Sequence, residues 1–287
     1  MQPPALRIPF RHLLAIVLAQ ALALTVQAWL SRVLLAHGHE ELEAHYVAYL
    51  AVPPILVVLL APVLFEHRTF LLELFSPRRL TIRLALAAIA LGIAARIAWW
   101  AQLVARVSLG LAASDNSEAV LGPTFSWNCP PLPSLMLGLF VMAMLIPLME
   151  ETLHRGLLQS ALAPGGLLPA VLVSALIFTV FHPPSSYGFV FFMGLALGVQ
   201  FWVTGSLWTT MITHVTYNGL IQFDWRCLQG RWNPPSESLP LLLPAVGALL
   251  TLVVACVLAV ALLRYQQAGA RPAPARAPVT ERSRHAR

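Results

Sequence analysis

The sequence predicts an all-α fold, a polytopic transmembrane helix bundle of about eight spans, and three observations support this. Hydrophobic residues make up 58% of the 287-residue chain and charged residues only 10%. Mean hydropathy is +0.75, and several apolar runs reach the roughly 20 residues that a helix needs to cross a bilayer. The alternating segments of about 10 residues expected of a transmembrane β-barrel do not occur in the sequence. Lipid-facing backbone must satisfy its own hydrogen bonds, which only helices and closed barrels can do, so the spans are predicted to be helices.

The predicted spans follow the apolar runs in order. They cover residues 12–36, 47–65, 80–112, 133–163, 167–182, 187–203, 206–223 and 239–263. The second span contains Pro53, Pro54 and Pro62, so we expect it to be irregular. A Pro164-Gly165-Gly166 turn separates the fourth span from the fifth and predicts an antiparallel helical hairpin.

Arginine supplies all 18 basic residues, and its distribution predicts an N-in, C-in orientation. Arginines precede the first span and follow the second and eighth. The opposite loops are expected to hold Glu40, Glu41 and Glu43, and then Asp115 and Glu118. The lysine-free, Ala- and Leu-rich composition suggests a GC-rich bacterial genome, so we expect an integral protein of the bacterial inner membrane. The net charge of +6 arises at span ends and in the tail, and does not indicate a nucleic-acid partner.

Four regions are expected along the chain. Residues 1–132 form N-terminal transmembrane helices, and 133–223 a catalytic core. Residues 224–263 form an outer loop and the last helix, and 264–287 a disordered Arg-rich tail that touches anionic lipid or only anchors the topology. Cys129 and Cys227 fall in predicted outer loops and could pair, but the cysteines lack a metal or redox spacing.

Glu150 and Glu151 are the most informative residues, because they are adjacent carboxylates inside the apolar fourth span. A charged side chain at the membrane centre costs at least about 2.5–3.5 kcal/mol. Across the Pro164-Gly165-Gly166 turn, Glu150 and His182 each lie about 16 residues from the hairpin tip. Hairpin register therefore predicts that this carboxylate and this imidazole lie at one depth. Such a polar cluster in lipid indicates a functional site.

Two further pairs have helical i, i+4 spacing. Glu151 and Arg155 are expected to form an ion pair that supports the site, unless the pair serves only helix packing. His214 and Asn218 in the seventh span would present an imidazole and a carboxamide on one face, and both groups can donate hydrogen bonds to an oxyanion.

These residues resemble the three motifs of the CPBP family, the CAAX-protease and bacteriocin-processing intramembrane endopeptidases with an ABI-type domain. The motifs in this sequence are EETLHR from Glu150, FTVFH ending at His182, and HVTYN from His214. Their order and their placement in apolar helices agree with the family pattern. His154 departs from it, since the family usually has an aromatic residue there; His154 either tunes the site or faces the headgroups.

The resemblance implies hydrolysis of a peptide bond within the membrane. Glu150 with His182 would activate a water, His214 and Asn218 would hold it or stabilise the oxyanion, and Glu151 with Arg155 would orient the first motif. Phe178 would exclude solvent. No cofactor is certain. Zinc is one possibility, in which case Glu150, His182 and His214 would be its ligands, but a glutamate-type enzyme is favoured.

The expected partners are a peptide or protein substrate at the membrane and the lipid bilayer. Two other functions stay open: a non-catalytic scaffold or immunity protein that keeps the pocket, and a proton-coupled transporter with Glu150, His182 and His214 as its relay. Arg96, deep in the third span, is expected to pair with a carboxylate of the fourth helix or of a substrate, unless it snorkels or lies in a water-filled groove. Gly194 and Gly198 are expected to allow close helix packing.

Overall fold

The computed structural model describes residues 6–77, 80–108 and 131–222, and this part of the chain is a helical bundle without strands. The helices, labelled in chain order, are α1 (Phe10–Ala36), α2 (Glu41–Tyr49), α3 (Val52–Glu66), α4 (Arg68–Leu74), α5 (Ile82–Ser108), α6 (Leu132–Gly165), α7 (Leu167–Val180), α8 (Tyr187–Thr204) and α9 (Leu207–Gln222).

The polytopic helical prediction is confirmed. Within the described residues, five helical segments are long and apolar enough to cross a membrane: α1, the α2–α3 segment, the part of α5 up to Trp99, α6 and α8. The shorter α7 and α9 occupy the positions of the fifth and seventh predicted spans. The predicted eighth span, the Arg-rich tail and the possible pairing of Cys129 with Cys227 lie outside the described residues.

The acidic stretch after the first span differs from the prediction of a loop. Glu41 and Glu43 lie in the first turn of α2, preceded by Glu40 at its N-cap. Carboxylates are favourable in that position because they face the positive end of the helix dipole. A turn at residues 50–51 then separates α2 from α3, where Pro53 and Pro54 fit the first turn of a new helix.

Helix α6 is not uniformly α-helical. Segments Leu139–Leu145 and Thr152–Gln159 have π-helical hydrogen bonding, and the α-helical turns of Ile146–Glu151 lie between them. Single π turns are often found at functional sites, since they shift the side chains that follow around the helix axis. The two glutamates therefore end a short α segment, and Arg155 lies in the π segment after it.

Close helix contacts hold the motif-bearing elements together. Helix α8 packs along α7. A Cβ added at Gly194 would lie 3.1 Å from Ala175, and one added at Gly198 would lie 3.0 Å from Val171. The expectation of close packing at these glycines is confirmed. Helix α9 packs along α5, where a Cβ at Gly92 would lie 2.6 Å from the Thr213 carbonyl oxygen.

Candidate active site

The two glutamates of α6 face different surroundings. Consecutive residues of a helix are rotated by about 100°, so neighbours point in different directions. The Glu151 side chain is completely buried, as is Arg155, whereas the Glu150 side chain is 24% exposed and lines a cavity. One carboxylate is thus part of the packed core, and the other faces space that a ligand or water can enter.

Glu151 contacts both Arg155 and His214. Its Oε2 lies 3.4 Å from Nε of Arg155, one turn further along α6, and its Oε1 accepts a hydrogen bond of 2.9 Å from Nδ1 of His214 on α9. The predicted Glu151–Arg155 ion pair is confirmed. The bond to His214 was not expected from the sequence, because i, i+4 spacing reveals partners only within one helix.

His214 bridges the two glutamates. With Nδ1–H donated to Glu151, its Nε2 lies 3.6 Å from Oε2 of Glu150. A carboxylate that holds one imidazole nitrogen fixes the ring's orientation and tautomer, as in other carboxylate–histidine pairs. From its spacing, His214 was expected to donate a hydrogen bond to an oxyanion. Since Nδ1 is already used, only Nε2 is available for that role, and only in the imidazolium form.

Arg155 is further held by α7 and α8. Its Nη2 donates to the Gly194 carbonyl at 3.2 Å, and its Cζ lies 4.5 Å from the centre of the Phe178 ring. One turn later on α6, Nε2 of Gln159 donates to the Gly198 carbonyl at 2.7 Å. Two residues four apart on α6, Arg155 and Gln159, therefore bind the carbonyls of the two glycines four apart on α8. This spacing brings two backbone carbonyls within reach of two side chains that are fully buried.

His182 lies just beyond the end of α7, before Pro183 and Pro184. Its Nδ1 donates to the Phe178 carbonyl at 2.8 Å, which leaves Nε2 as the acceptor of the neutral ring. The Phe178 ring packs against both site imidazoles, with centroids 4.6 Å from His182 and 6.0 Å from His214. Phe178 is only 2% exposed, consistent with the expected solvent-excluding role.

Asn218 lies one turn after His214 on α9 and also lines the cavity. Its Nδ2 donates to the Met142 carbonyl at 2.8 Å, within the first π segment of α6. This bond ties the third motif to the helix that carries the first. A carboxamide has a second N–H and a carbonyl oxygen, so Asn218 keeps both a donor and an acceptor for a ligand.

The cavity has a volume of about 340 Å³, within the range of small-ligand sites. Glu150, His182, His214 and Asn218 all line it, so the structure brings four of the six predicted site residues to one space. Glu151 and Arg155 lie behind this wall. The opposite wall comes from α1, α2 and α3, which the sequence analysis assigned to a separate N-terminal region.

Polar residues of that opposite wall were missed. Gln20 of α1 lines the cavity, as do Tyr46 and Tyr49 of α2, and the Tyr46 hydroxyl donates to Oε1 of Gln222 at the end of α9. Tyr46 and Tyr49 have i, i+3 spacing, which predicts a shared helix face. That signal did not indicate which helices the face would meet.

The structure shows the contacts of His154 and Arg96, for which the sequence left alternatives open. His154 is 1% exposed and its Nε2 donates to Oε1 of Gln20 at 2.9 Å, so it packs inside the bundle and does not face headgroups. The guanidinium of Arg96 lies 4.8 Å from the Trp99 ring centre, and its Nε lies 3.5 Å from the Leu220 carbonyl. The first contact lies within α5, and the second joins α5 to α9.

The three residues considered as zinc ligands, Glu150, His182 and His214, are not close enough to one another to share an ion. A shared ion requires three ligand atoms that are mutually close, and among the described residues the His, Cys, Asp and Glu group within 4.8 Å is His12, Glu66 and His67. Glu150 and His214 are near each other, but His182 does not complete a group with them. The residues of the cavity wall as arranged therefore do not fit a three-ligand zinc centre.

Fold and site together define an all-helical integral membrane protein with a buried glutamate–histidine–arginine cluster beside a cavity. Residues 132–220, from α6 into α9, match the family model described as Type II CAAX prenyl endopeptidase Rce1-like. This match supports the CPBP family of CAAX-type proteases, and the resemblance carried by the three motifs is confirmed. No curated protein and no solved structure matches the chain.

Proposed function

We propose that the protein hydrolyses a peptide bond within the membrane, with Glu150 as the general base. The observation that carries the proposal is the position of this carboxylate. It lines the cavity 3.6 Å from Nε2 of His214, whose other nitrogen is held by Glu151 at 2.9 Å. A base needs access to water, which the cavity offers, and a neighbour that can orient it, which is the His214 imidazole.

In the proposed reaction, Glu150 takes a proton from a water molecule whose oxygen attacks the carbonyl carbon of the substrate. The carbonyl oxygen then carries the negative charge of the tetrahedral intermediate. Glu150 returns its proton to the amide nitrogen as the carbon–nitrogen bond breaks, so that a carboxylic acid and an amine leave. His182, with Nδ1 fixed by the Phe178 carbonyl, presents Nε2 as an acceptor that positions the water.

His214 and Asn218 are proposed to stabilise the oxyanion. In its imidazolium form His214 donates from Nδ1 to Glu151 and presents the Nε2–H, 3.6 Å from Glu150, to the oxyanion. The free N–H of the Asn218 carboxamide supplies a second donor. Donors held in place before the reaction are more effective than mobile ones, because no reorganisation is needed at the moment of charge formation. The mechanism is of glutamate type, and no step is routed through a metal.

The proposed substrate is a peptide segment of a membrane-associated or secreted protein. The cavity wall is largely apolar, with Tyr49, Phe181 and Phe189 among its residues, so it suits an extended apolar segment. A prenylated CAAX end is the substrate type named in the family description. A bacterial inner-membrane location, which the composition favours, points instead to a secreted peptide, a sorting tail or a regulator.

The test compares peptide termini in membranes and secreted material of the host for wild type, Glu150→Gln and His182→Ala. Glu73→Gln is the matched control, because Glu73 is exposed on α4 and lies outside the cavity. We expect at least one cleaved terminus that is present in wild type and Glu73→Gln and absent in both site variants. If all four strains give the same termini while the variants are folded, the protease proposal fails, and uptake that depends on a proton gradient would favour the transporter.

A further inference from the structure

A second cluster of histidine and glutamate side chains lies far along the chain from the catalytic motifs. His12 is in the first turn of α1, Glu66 is the last residue of α3, and His67 joins α3 to α4. Because α1 packs antiparallel to α3, the start of one helix meets the end of the other. Nε2 of His12 lies 3.9 Å from Glu66 Oε2, and Nε2 of His67 lies 4.0 Å from Glu66 Oε1.

The surroundings of His67 point to a missing ligand. Its side chain is only 8% exposed, and within the part of the chain that the structure describes its Nε2 has no hydrogen-bond partner. Buried polar nitrogens are nearly always satisfied, so an exception calls for a bound water or ion. This nitrogen is directed to the same place as the His12 ring and the Glu66 carboxylate, since one ligand atom from each residue lies within 4.8 Å of the others.

The donor set matches a particular class of ion. Two imidazole nitrogens and one carboxylate oxygen are typical ligands of Zn²⁺ and related divalent transition metals, with bonds of about 2.0–2.2 Å. In tetrahedral geometry such bonds place the ligand atoms about 3.3–3.5 Å apart. The observed distances of 3.9 and 4.0 Å are slightly longer. The Glu66 side chain is 54% exposed and is therefore free to rotate towards both rings.

We propose that His12, Glu66 and His67 bind a divalent transition-metal ion of the Zn²⁺ class, with water in the fourth position. The ion fixes the beginning of α1 to the α3–α4 junction. Helix α4 carries Leu71, which packs against Gly156 in the π segment of α6. The metal site thus supports, through α4, the helix that holds the catalytic cluster. It is structural and independent of the proposed hydrolysis.

The experiment uses the purified full-length chain in lipid nanodiscs. The chain is stripped with a chelator and then titrated with Zn²⁺ against a metal indicator, and bound zinc is counted by mass spectrometry. The variants are Glu66→Gln and His67→Ala. His39→Ala is the matched control, because His39 and Glu43 form an exposed pair 3.8 Å apart that has no third ligand among the described residues. Glu66→Gln is nearly isosteric at a largely exposed position, so it tests the site even if His67→Ala does not fold.

We expect wild type and His39→Ala to bind one zinc ion more per chain than Glu66→Gln does, or to bind it at least about tenfold more tightly. Zinc should also raise the thermal unfolding midpoint of wild type and not that of Glu66→Gln. Any ion held near Glu150 is common to all variants and cancels in the comparison. Equal zinc content, affinity and thermal shift in wild type and Glu66→Gln would overturn the proposal.

Discussion

Helix α6 carries one glutamate on the side that faces the cavity and another on the side that faces the protein core, and the two differ in exposure and partners. On the cavity side, Glu150 keeps 24% of its side chain exposed and has a single close imidazole partner. On the core side, Glu151 is fully buried and is held by both Arg155 and His214. The difference teaches that adjacent carboxylates on one helix can have separate surroundings. Glu150 faces a space that water can enter, and Glu151 is held inside the packed core by its two partners.

The largest expected effect is on the cleavage rate and comes from changing Glu150, the glutamate that faces the cavity. Glu150→Gln removes the proposed base while keeping the shape and the hydrogen-bonding capacity of the side chain. We expect cleavage to fall by about 10²–10⁴-fold, the usual contribution of general acid–base catalysis. The thermal unfolding midpoint should stay close to that of wild type, because Glu150 is not part of the packed core. Initial rates and unfolding curves from the same preparation check both statements.

On the core side the effect should appear in stability. Arg155→Leu leaves Glu151 buried without its closest guanidinium, and breaking a buried ion pair costs about 3–5 kcal/mol. The double variant Glu151→Gln/Arg155→Leu removes both charges and should recover part of that loss. Reversible unfolding in detergent–lipid mixtures measures the free energies. A single variant as stable as wild type would show that the pair is not a support of the fold.

A substitution that forces α5 and α9 apart beside His214 should have a smaller effect on stability. Gly92→Ala places a methyl group 2.6 Å from the Thr213 carbonyl and 2.7 Å from Thr216 Cβ, so α5 and α9 must move apart. We expect a loss of about 1–3 kcal/mol in stability and lower activity, since Thr213 precedes His214. Gly219→Ala is the matched control, because its added methyl would lie 3.9 Å from the nearest side chain. Equal unfolding free energies for the two variants would contradict this packing.

The smallest expected effect concerns the opposite wall of the cavity. Tyr46→Phe removes the hydrogen bond to Gln222 that joins α2 to the end of α9. The loss should be about 0.5–1.5 kcal/mol in unfolding free energy, the usual net value of such a bond. Tyr187→Phe, at an exposed tyrosine, serves for comparison and should have no measurable effect. If both variants unfold alike, the bond does not contribute to closing the wall.

Sequence periodicity was sufficient for those parts of the site that lie within one helix. The ion pair of Glu151 with Arg155 follows from i, i+4 spacing, and the helical bundle follows from the length of the apolar runs. The link from Glu151 to His214 joins residues 63 positions apart and depends on how α6 and α9 pack. Spacing along one chain segment contains no information about that contact.

The same limit explains two other outcomes. Glu41 and Glu43 were expected in a loop because they are charged, but acidic residues are also favourable in the first turn of a helix, where the structure places them. The cluster of His12, Glu66 and His67 joins residues on either side of a helical hairpin. No motif marks it, and only the antiparallel packing of α1 and α3 brings the side chains together.

The central claim is that the cavity-facing carboxylate activates water. Its most direct test uses the substrate found by the comparison of termini, purified protein in nanodiscs, and water enriched in ¹⁸O. Wild type should place one ¹⁸O atom in the new carboxyl terminus, and Glu150→Gln should leave the substrate intact while unfolding at the wild-type midpoint. Cleavage by folded Glu150→Gln at the wild-type rate, or a product without the label, would contradict the account.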